Sequence, residues 1–407
     1  MALQVGSVSD PPQRAAPHAT CHDKTRYPRT VTAPRLEVDA LLADPATKII
    51  VCCGAGGVGK TTTAAALGLR AAEVHGRRTV VLTIDPARRL AQSMGLTELD
   101  NTPRQVKGID TGDTGGELHA MMLDMKRTFD EVVQQHTTPQ RAAEIFANPF
   151  YQAMSSTFSG TQEYMAMEKL AQLRLADEWD LIVVDTPPSR SALDFLDAPA
   201  RLSRFLDGRM LRMLLAPARS GGRSMFSLVT ASFGLFSRAV QKILGAQLLT
   251  DLSGFVAALD SMFGGFRQRA DETYRILQDP QTAFLLVAAP DRDAVREAAY
   301  FAERLVADRM PLAGLVLNRT HRAEFHTVSA AAAEAAAAAL DAAGDQRVTA
   351  DALRIHAALL RQTEREVRVA ATFTDSFPQV PTVAVRAQPA DVHDVDGLRT
   401  IGTALSA

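Results

Sequence analysis

A glycine-rich loop, set between a short apolar run and an alanine-rich stretch, constrains this chain more than any other feature. The pattern GxxxxGK[ST] occurs as Gly54, Gly59, Lys60 and Thr61, directly after the apolar residues 49–53. A strand before the loop and a helix after it are the context that a phosphate-binding loop requires. A glycine-rich turn that matches by chance would lack that context. We therefore predict that this chain binds a nucleoside triphosphate.

Each position of the loop has a physical role in phosphate binding. Glycines allow successive backbone N–H groups to point at the phosphates, and the helix that begins near Lys60 adds the positive end of its dipole. Lys60 is expected to reach the β- and γ-phosphates, and the Thr61 hydroxyl to ligate Mg²⁺. The predicted nucleotide-binding residues of the loop are Gly54, Gly56, Gly57, Val58, Gly59, Lys60, Thr61 and Thr62.

The composition narrows the class of protein and its compartment. The net charge of −2 gives no support for the basic face that nucleic-acid binding needs. The three cysteines, two of them adjacent at Cys52 and Cys53, fit a reducing cytosol rather than a disulfide framework. The N-terminus lacks the apolar core of a signal peptide, and the longest apolar stretch, 225–237, is shorter than the about 18 residues of a membrane span. We therefore expect a cytoplasmic protein that is not integral to a membrane.

Short apolar, β-branched runs alternate with helical segments from residue 47 onward. This alternation predicts an α/β fold with a doubly wound, mostly parallel sheet, whose ligands bind at the carboxyl ends of the strands. Residues 1–46 are expected to be a disordered extension, and 47–407 the nucleotide-binding domain. The predicted strands are Lys48–Cys53, Arg78–Ile84, Leu181–Asp185, Ala283–Ala288, Gly314–Leu317 and Thr382–Val385.

Two long stretches, about 118–178 and 197–280, do not follow the alternation and are predicted to be helical. We expect them to form a helical subdomain inserted into the α/β domain. The tract Ser329–Leu340 is almost all alanine and predicts a surface helix.

Three polar residues stand at the ends of predicted strands, where a nucleotide site would need them. Asp85 follows the second strand and could polarise a water in line with the γ-phosphate, although a helix N-cap is the alternative. Asp185 ends an apolar strand, the Walker B pattern, and is predicted to hold Mg²⁺ together with Thr61. Asn318 offers an amide donor and acceptor that suit the adenine edge, although it could instead form a turn.

Several segments resemble one family of P-loop ATPases. The loop GAGGVGKTT resembles the deviant Walker A loop of the SIMIBI class. The segments TIDPARRL, VVDTPPSRSALDFL, VLNRT and VRAQPADVHDVDGL resemble the family of the ArsA arsenical pump ATPase and the guided-entry ATPase for tail-anchored proteins. The order of these segments agrees with that family from about Lys48 to the C-terminus.

The resemblance implies a Mg²⁺-dependent ATPase with a P-loop NTPase fold and assigns roles to several residues. It implies that Asp85 in switch I positions the attacking water and acts in catalysis with Lys60. Asn318 is implied to contact adenine, together with Gln388 and Pro389 in a late loop. Switch II is implied to include Thr186, Pro187, Pro188 and Ser189.

The resemblance also implies that the helical insertions build an apolar groove across a dimer, which binds a hydrophobic helix of a client protein. Methionine-rich surfaces suit such clients, but a Met and Phe stripe at helical spacing more often belongs to a core. The candidate client surface is Met210, Met213, Met225, Phe226, Phe233 and Phe236.

The sequence departs from the family pattern at three places. Ala55 stands where the SIMIBI class usually has a signature lysine that reaches the partner's nucleotide across the dimer. In switch II, Arg190, Ser191 and Ala192 replace the family's Gly-His-Thr. No cysteine follows Cys53, so we expect neither the family's zinc site nor arsenite activation.

These observations lead to two main hypotheses. The first is a dimeric ATPase switch that couples ATP and ADP states to a helical surface for a client or partner. The second is a weakly active regulatory or scaffolding subunit that binds ATP and pairs with a lysine-bearing homologue. A partition ATPase is disfavoured by the helical insertions and the lack of a basic patch, and a small-molecule kinase by the DTPP segment.

Overall fold

A single eight-stranded sheet organises the molecule. The computed structural model describes residues 33–85, 89–112, 114–149, 151–152, 161–188, 271–325, 327–344 and 346–407. The strands are β1 Ile49–Cys53, β2 Arg78–Thr83, β3 Arg104–Gln105, β4 Glu117–Met122, β5 Leu181–Asp185, β6 Thr282–Ala288, β7 Leu312–Thr320 and β8 Thr382–Arg386. Their order in the sheet is β3-β4-β2-β5-β1-β6-β7-β8, and only the β3–β4 pair is antiparallel.

The central strands are buried on both faces. Every residue of β1, β5 and β6 is buried, and successive strand residues point to opposite faces, so helices and loops must cover both. This explains why the strands are continuous apolar runs in the sequence. The predicted α/β class with a mostly parallel sheet is confirmed, and all six predicted strands are present, with ends that differ by up to three residues.

Helices fill the connections between strands. Their bounds are Val38–Ala43, Lys60–Glu73, Arg89–Ser93, Met125–His136, Pro139–Ala147, Thr161–Ala176, Arg292–Ala307, Ala330–Ala343, Arg347–Ser376 and Val395–Ser406. Residues 271–278 are also helical. None of the helices in the described part of the chain combines the length and apolar character that a bilayer crossing demands.

The helical prediction for 118–178 is wrong at its start. Residues Glu117–Met122 form β4, which pairs in parallel with the whole of β2. Leu118 and Ala120 are buried while Glu117 and His119 are only partly so, an alternation typical of a strand near the sheet edge. The rest of the range is helical where the structure describes it. Most of 197–280 lies outside the described residues, so the helical subdomain stays a prediction.

The boundary predicted at residue 46 is also wrong. Leu36, Val38 and Leu42 are buried, and Leu42 belongs to the helix Val38–Ala43. The backbone at residue 35 forms a parallel bridge to Thr382 of β8. The chain therefore joins the domain from about residue 34, and residues 1–32 lie outside the described part.

The helix after the glycine loop, Lys60–Glu73, lies unusually close to the sheet. A Cβ atom at Gly68 would lie 2.5 Å from Cγ2 of Val81 and 3.2 Å from Cδ1 of Leu118. The other side of this helix contacts Val395–Ser406, where a Cβ at Gly402 would lie 3.5 Å from the Ala66 carbonyl oxygen. The alanines and Gly68 thus let the helix that carries the site approach β2.

Two helical glycines provide a matched test of this packing. We expect Gly68→Ala to destabilise the protein by about 1–3 kcal/mol, because the added methyl group overpacks a buried interface. Gly402→Ala meets only ordinary contacts and should leave stability unchanged or raise it by up to about 1 kcal/mol through helix propensity. Denaturant-induced unfolding measures both. Equal stabilisation by the two substitutions would contradict the close packing at Gly68.

Candidate functional site

The glycine loop, residues 54–59, leaves the carboxyl end of β1 between β5 and β6. A Cβ atom at Gly54 would lie only 2.0 Å from the Val287 carbonyl oxygen of β6, so only glycine fits there. Gly59 is the N-cap of the following helix and has a φ of 98°, in the left-handed region that favours glycine. The backbone of the loop is therefore shaped by its glycines, as the sequence predicted.

Lys60 is the first residue of the helix and is buried, with 7% of its surface exposed. Its Nζ donates a hydrogen bond to the Ala55 carbonyl oxygen at 2.8 Å. Burial lowers the pKa of Lys60, while the negative charge of Asp185 opposes that shift. The ammonium group thus lies over the first turn of the loop, where it can exchange a carbonyl partner for phosphate oxygens.

Asp185 at the end of β5 is the most buried charged group of the site, with no exposed surface. Its Oδ2 accepts hydrogen bonds from Oγ1 of Thr61 at 2.8 Å and from Oγ1 of Thr83 at 2.9 Å. Its Oδ1 is buried and has no hydrogen-bond partner among the described residues. Burial raises the pKa of Asp185 to about 6, even though both threonine hydroxyls and Lys60 oppose the shift.

This arrangement fits a magnesium ion bound together with nucleotide. Mg²⁺ prefers oxygen ligands and is usually held by one or two protein groups plus phosphates and waters. Thr61 and Asp185 supply a hydroxyl and a carboxylate at one point, and a buried oxygen without a partner is costly unless a ligand satisfies it. Over the described ranges, no three His, Cys, Asp or Glu side chains gather into a metal cluster, which this kind of shared site does not need.

Asp85 lies two residues beyond the end of β2, on the same edge of the sheet. Thr83 and Asp185 are paired in register between β2 and β5, and the Asp85 backbone N–H donates to Oγ1 of Thr83 at 3.2 Å. The side chain of Asp85 is half-buried. Its role in positioning water stays a prediction, and residues 86–88 that follow lie outside the described part.

The predicted switch II begins against the glycine loop. Oγ1 of Thr186 donates to the Cys52 carbonyl oxygen at 2.8 Å. Cβ of Pro188 lies 3.7 Å from where a Cβ at Gly56 would be. A rearrangement of Thr186 or Pro188 would therefore change their contacts with Cys52 and Gly56. Ser189 and Arg190–Ala192 are outside the described residues, as are all six residues of the candidate client surface.

Asn318 lies beside the glycine loop. Its Nδ2 donates to the Val58 carbonyl oxygen at 2.8 Å, and its side chain is buried. Gln388 and exposed Pro389 follow β8, where the Ala387 N–H donates to the Thr320 carbonyl oxygen at 2.9 Å. The late loop thus lies at the end of β7, but contact of any of these residues with adenine stays a prediction.

Sequence reasoning missed Thr83 and, although it named Val58 as a nucleotide-binding residue, it missed the contact of the Val58 carbonyl with Asn318. Thr83 shares Asp185 with Thr61, and the Val58 carbonyl is the partner of Asn318. The segment Thr83-Ile84-Asp85 contains a signal for the first, because a threonine at the end of a strand beside the Walker B strand faces the same edge. The second depends on a backbone group and has no side-chain signal.

The ionised Asp185 should destabilise the ligand-free fold. Its folded-state pKa of about 6 lies above the unfolded value of 3.8, so the folded state gains stability as the pH falls through 6 and has gained it fully below 3.8. We therefore expect Asp185→Asn, without nucleotide or Mg²⁺, to be as stable as the wild type or up to about 3 kcal/mol more stable at pH 7.5. The difference should shrink toward pH 5.

Denaturant unfolding at both pH values measures this effect. Asp293→Asn removes an exposed carboxylate and serves as the control. The difference between its free energy of unfolding and that of the wild type should be the same at the two pH values. A loss of stability in Asp185→Asn that is the same at pH 7.5 and pH 5 would show that the carboxylate stabilises the ligand-free protein.

Comparisons with known proteins agree with this geometry. Residues 47–328, more than half of the chain, match the anion-transporting ATPase (ArsA ATPase) family. ATPase GET3 from Malassezia globosa is 30% identical over 166 residues, 41% of this chain and 46% of that protein. ATPase get3 from Schizosaccharomyces pombe is 28% identical over 169 residues, 42% and 48% of the two chains.

A longer match is less similar. ATPase get3 from Schizosaccharomyces japonicus is 22% identical over 283 residues, 69% of this chain and 77% of that protein. The chain spans about half the length of the relatives that it matches at about 30% identity. From the family match together with the loop and strand-end residues described above, the chain belongs to the anion-transporting ATPase family.

Proposed function

We propose that this protein is a Mg²⁺-dependent ATPase that acts as a dimeric switch of the arsenical pump and tail-anchored protein targeting type. The observation that carries the proposal is the buried Asp185 carboxylate. One of its oxygens accepts from Thr61 and Thr83, and the other has no partner in the part of the chain that the structure describes. It stands at the point where β1, β2 and β5 end beside the glycine loop. Because most buried polar atoms in proteins have a hydrogen-bond partner, the open oxygen supports a site for a ligand.

The chemistry follows from the positions of the side chains. The N–H groups of residues 54–62 and Lys60 would hold the phosphates of ATP. Thr61 and Asp185 would hold Mg²⁺, which neutralises charge on the β- and γ-phosphate oxygens. Asp85 would orient a water whose oxygen bonds to the γ-phosphorus while the bond to the bridging β–γ oxygen breaks, leaving ADP and phosphate.

Asp85 would act in hydrolysis, whereas Lys60 and the glycine loop would bind ATP. We expect Asp85→Asn to lower the ATP turnover number by about 100-fold or more, because the water loses its acceptor, while the affinity for Mg·ATP changes little. Phosphate release measures turnover, and calorimetry measures affinity. The control Asp293→Asn replaces an exposed carboxylate on the helix Arg292–Ala307 and should turn over ATP like the wild type. Equal turnover in both variants would remove Asp85 from catalysis.

A second candidate function rests on Ala55. Its side chain is buried at 8% exposure, and its carbonyl oxygen already binds Lys60 of the same chain. A symmetric dimer would therefore lack the lysine that other members of the SIMIBI class place across the interface. On this view the protein is a weakly active regulatory or scaffolding subunit that binds ATP and pairs with a lysine-bearing homologue.

In either case the nucleotide state would be passed to a helical, apolar surface that binds a client helix or a partner. The Met and Phe residues from Met210 to Phe236 are the proposed surface. The protein would bind ATP and ADP and would form a homodimer or a heterodimer. It would not bind nucleic acid.

Replacing Ala55 distinguishes the two candidates. If the missing lysine limits hydrolysis, Ala55→Lys should raise the turnover of the isolated protein by about tenfold or more, since trans cations contribute up to about 10³–10⁵ in related phosphoryl transfer. Ala55→Met adds similar length without charge and should not raise it. Native mass measured with an ATP analogue and Mg²⁺ reports whether each variant forms a dimer.

The outcomes of that experiment differ clearly. Fast turnover by a wild-type homodimer would show that another residue replaces the lysine. A wild-type monomer that hydrolyses ATP only when a second chain is added would support the second candidate function, a regulatory or scaffolding subunit.

A further inference from the structure

Asn318 makes a contact that an adenine-binding role does not require. Its Nδ2 lies 2.8 Å from the Val58 carbonyl oxygen, inside the glycine loop, and only 8% of the residue is exposed. A Cβ atom at Gly59 would lie 2.2 Å from the same nitrogen. The amide therefore occupies the space that the missing side chain of Gly59 leaves open. The two residues fit each other.

The end of β7 is built to hold Asn318 in this position. The pairing of β7 with β8 shifts register between Leu317 and Thr320, and Arg319 has a φ of 62°, in the left-handed region. Such an irregularity re-aims the neighbouring side chains. Thr320 is held by two hydrogen bonds to the chain around β8, from the Ala387 N–H to its carbonyl and from its hydroxyl to the Val385 carbonyl.

The next residue is anchored as well. The backbone N–H of His321 donates to Oε2 of Glu366 at 2.7 Å, on the long helix Arg347–Ser376. Leu317 on the other side is part of the regular β7 ladder. The backbone of Asn318 is thus held from both directions along the chain, so that the bond from its side chain to the loop does not have to order this segment of backbone.

Holding the Val58 carbonyl also orients the next N–H group. The described part of the chain contains no cis peptide bond. A planar trans peptide places the C=O of Val58 and the N–H of Gly59 on opposite sides of the bond that joins the two residues. The bond from Asn318 therefore turns the Gly59 N–H away from β7. Gly59, with its φ of 98°, can hold this conformation, which most other residues avoid.

We propose that Asn318 is a positioning residue of the glycine loop, which fixes the Val58–Gly59 peptide for binding of the triphosphate whatever base the nucleotide carries. The inference rests on the proposed function, because it concerns the same nucleotide site. It differs from the role that the family resemblance implies, in which Asn318 reads adenine. Both roles give weaker ATP binding when Asn318 is changed, and only ligands without adenine separate them.

The test compares three ligands in the presence of Mg²⁺: ATP, inosine triphosphate, which lacks the adenine amino group, and inorganic tripolyphosphate, which has no base. Calorimetry gives their affinities for the wild type, Asn318→Ala and Asn318→Asp. We expect Asn318→Ala to weaken all three by a similar factor of about tenfold, the loss of one buried hydrogen bond. Asn318→Asp should weaken them further, because it places a carboxylate oxygen against the Val58 carbonyl.

A second readout follows the loop directly. Amide hydrogen exchange of the ligand-free protein should be faster at residues 54–60 in both variants, with β1 and β5 unchanged, and thermal unfolding shows that the fold is retained. Gln278→Ala is the matched control, since Gln278 precedes β6 and its Nε2 likewise donates to a backbone carbonyl oxygen, that of Asp308, at 2.7 Å. It should leave exchange at residues 54–60 and the affinity for tripolyphosphate unchanged.

Each outcome decides a different point. Loss of ATP affinity alone, with inosine triphosphate and tripolyphosphate unaffected and exchange unchanged, would overturn the inference and favour adenine reading. If Asn318→Ala does not fold, Asn318→Asp, which keeps the size of the side chain, gives the same comparison. Failure of the wild type to bind any of the three ligands would overturn the proposed function itself.

Discussion

The hydrogen bonds that join Thr61, Thr83 and Asp185 are the interaction on which the site depends. Thr61 lies in the first turn of the helix after the glycine loop, Thr83 ends β2, and Asp185 ends β5. Two hydroxyl donors on one oxygen keep a fully buried carboxylate in place, while its other oxygen has no partner within the described ranges of the chain. Three elements distant in sequence are thus held together by a group that is itself under-satisfied. This is the arrangement expected where a ligand completes the structure, because most buried polar atoms in proteins have a hydrogen-bond partner.

Much of the fold could be predicted because it depends on local pattern. The central strands are continuous apolar runs, since helices or loops cover both of their faces, and the glycine loop identifies β1. The prediction failed at β4, because Glu117–Met122 contains Leu, Ala and Met, which favour helices, and only pairing with β2 makes it a strand. It failed also at residues 33–46, where Leu36 and Leu42 are buried by contacts with distant parts of the chain.

In the candidate site, too, positions set by local sequence could be predicted, and contacts between distant parts of the chain could not. The positions of Lys60 and Thr61 could be predicted from the spacing of the glycine loop, and that of Asp185 from the apolar strand that it ends. The hydrogen bonds of Thr83 and of the Val58 carbonyl were missed, because they depend on the sheet order, which sets β2 beside β5 and β7 near the loop. The sequence predicts that Asn318 contacts adenine, which stays a prediction, and the structure shows its amide bonded to the glycine loop. A strand-end asparagine has both a donor and an acceptor, so sequence alone does not decide which group it contacts.

The position of Lys60 bears on how much the missing signature lysine matters. The ammonium of Lys60 is buried and bonded to the carbonyl of Ala55, the residue that replaces that lysine. Burial of a cation next to the buried Asp185 is tolerated because the two charges favour each other, as the opposing influences on the pKa of Lys60 indicate. A second lysine side chain at position 55 would start from this same buried turn and would have to leave it to reach another subunit. The loop of this chain instead keeps one cation, close to one carboxylate, within a single subunit. If the proposed function holds, one chain would supply all the groups that bind ATP, and only a step that needs a charge from a second chain would depend on a dimer.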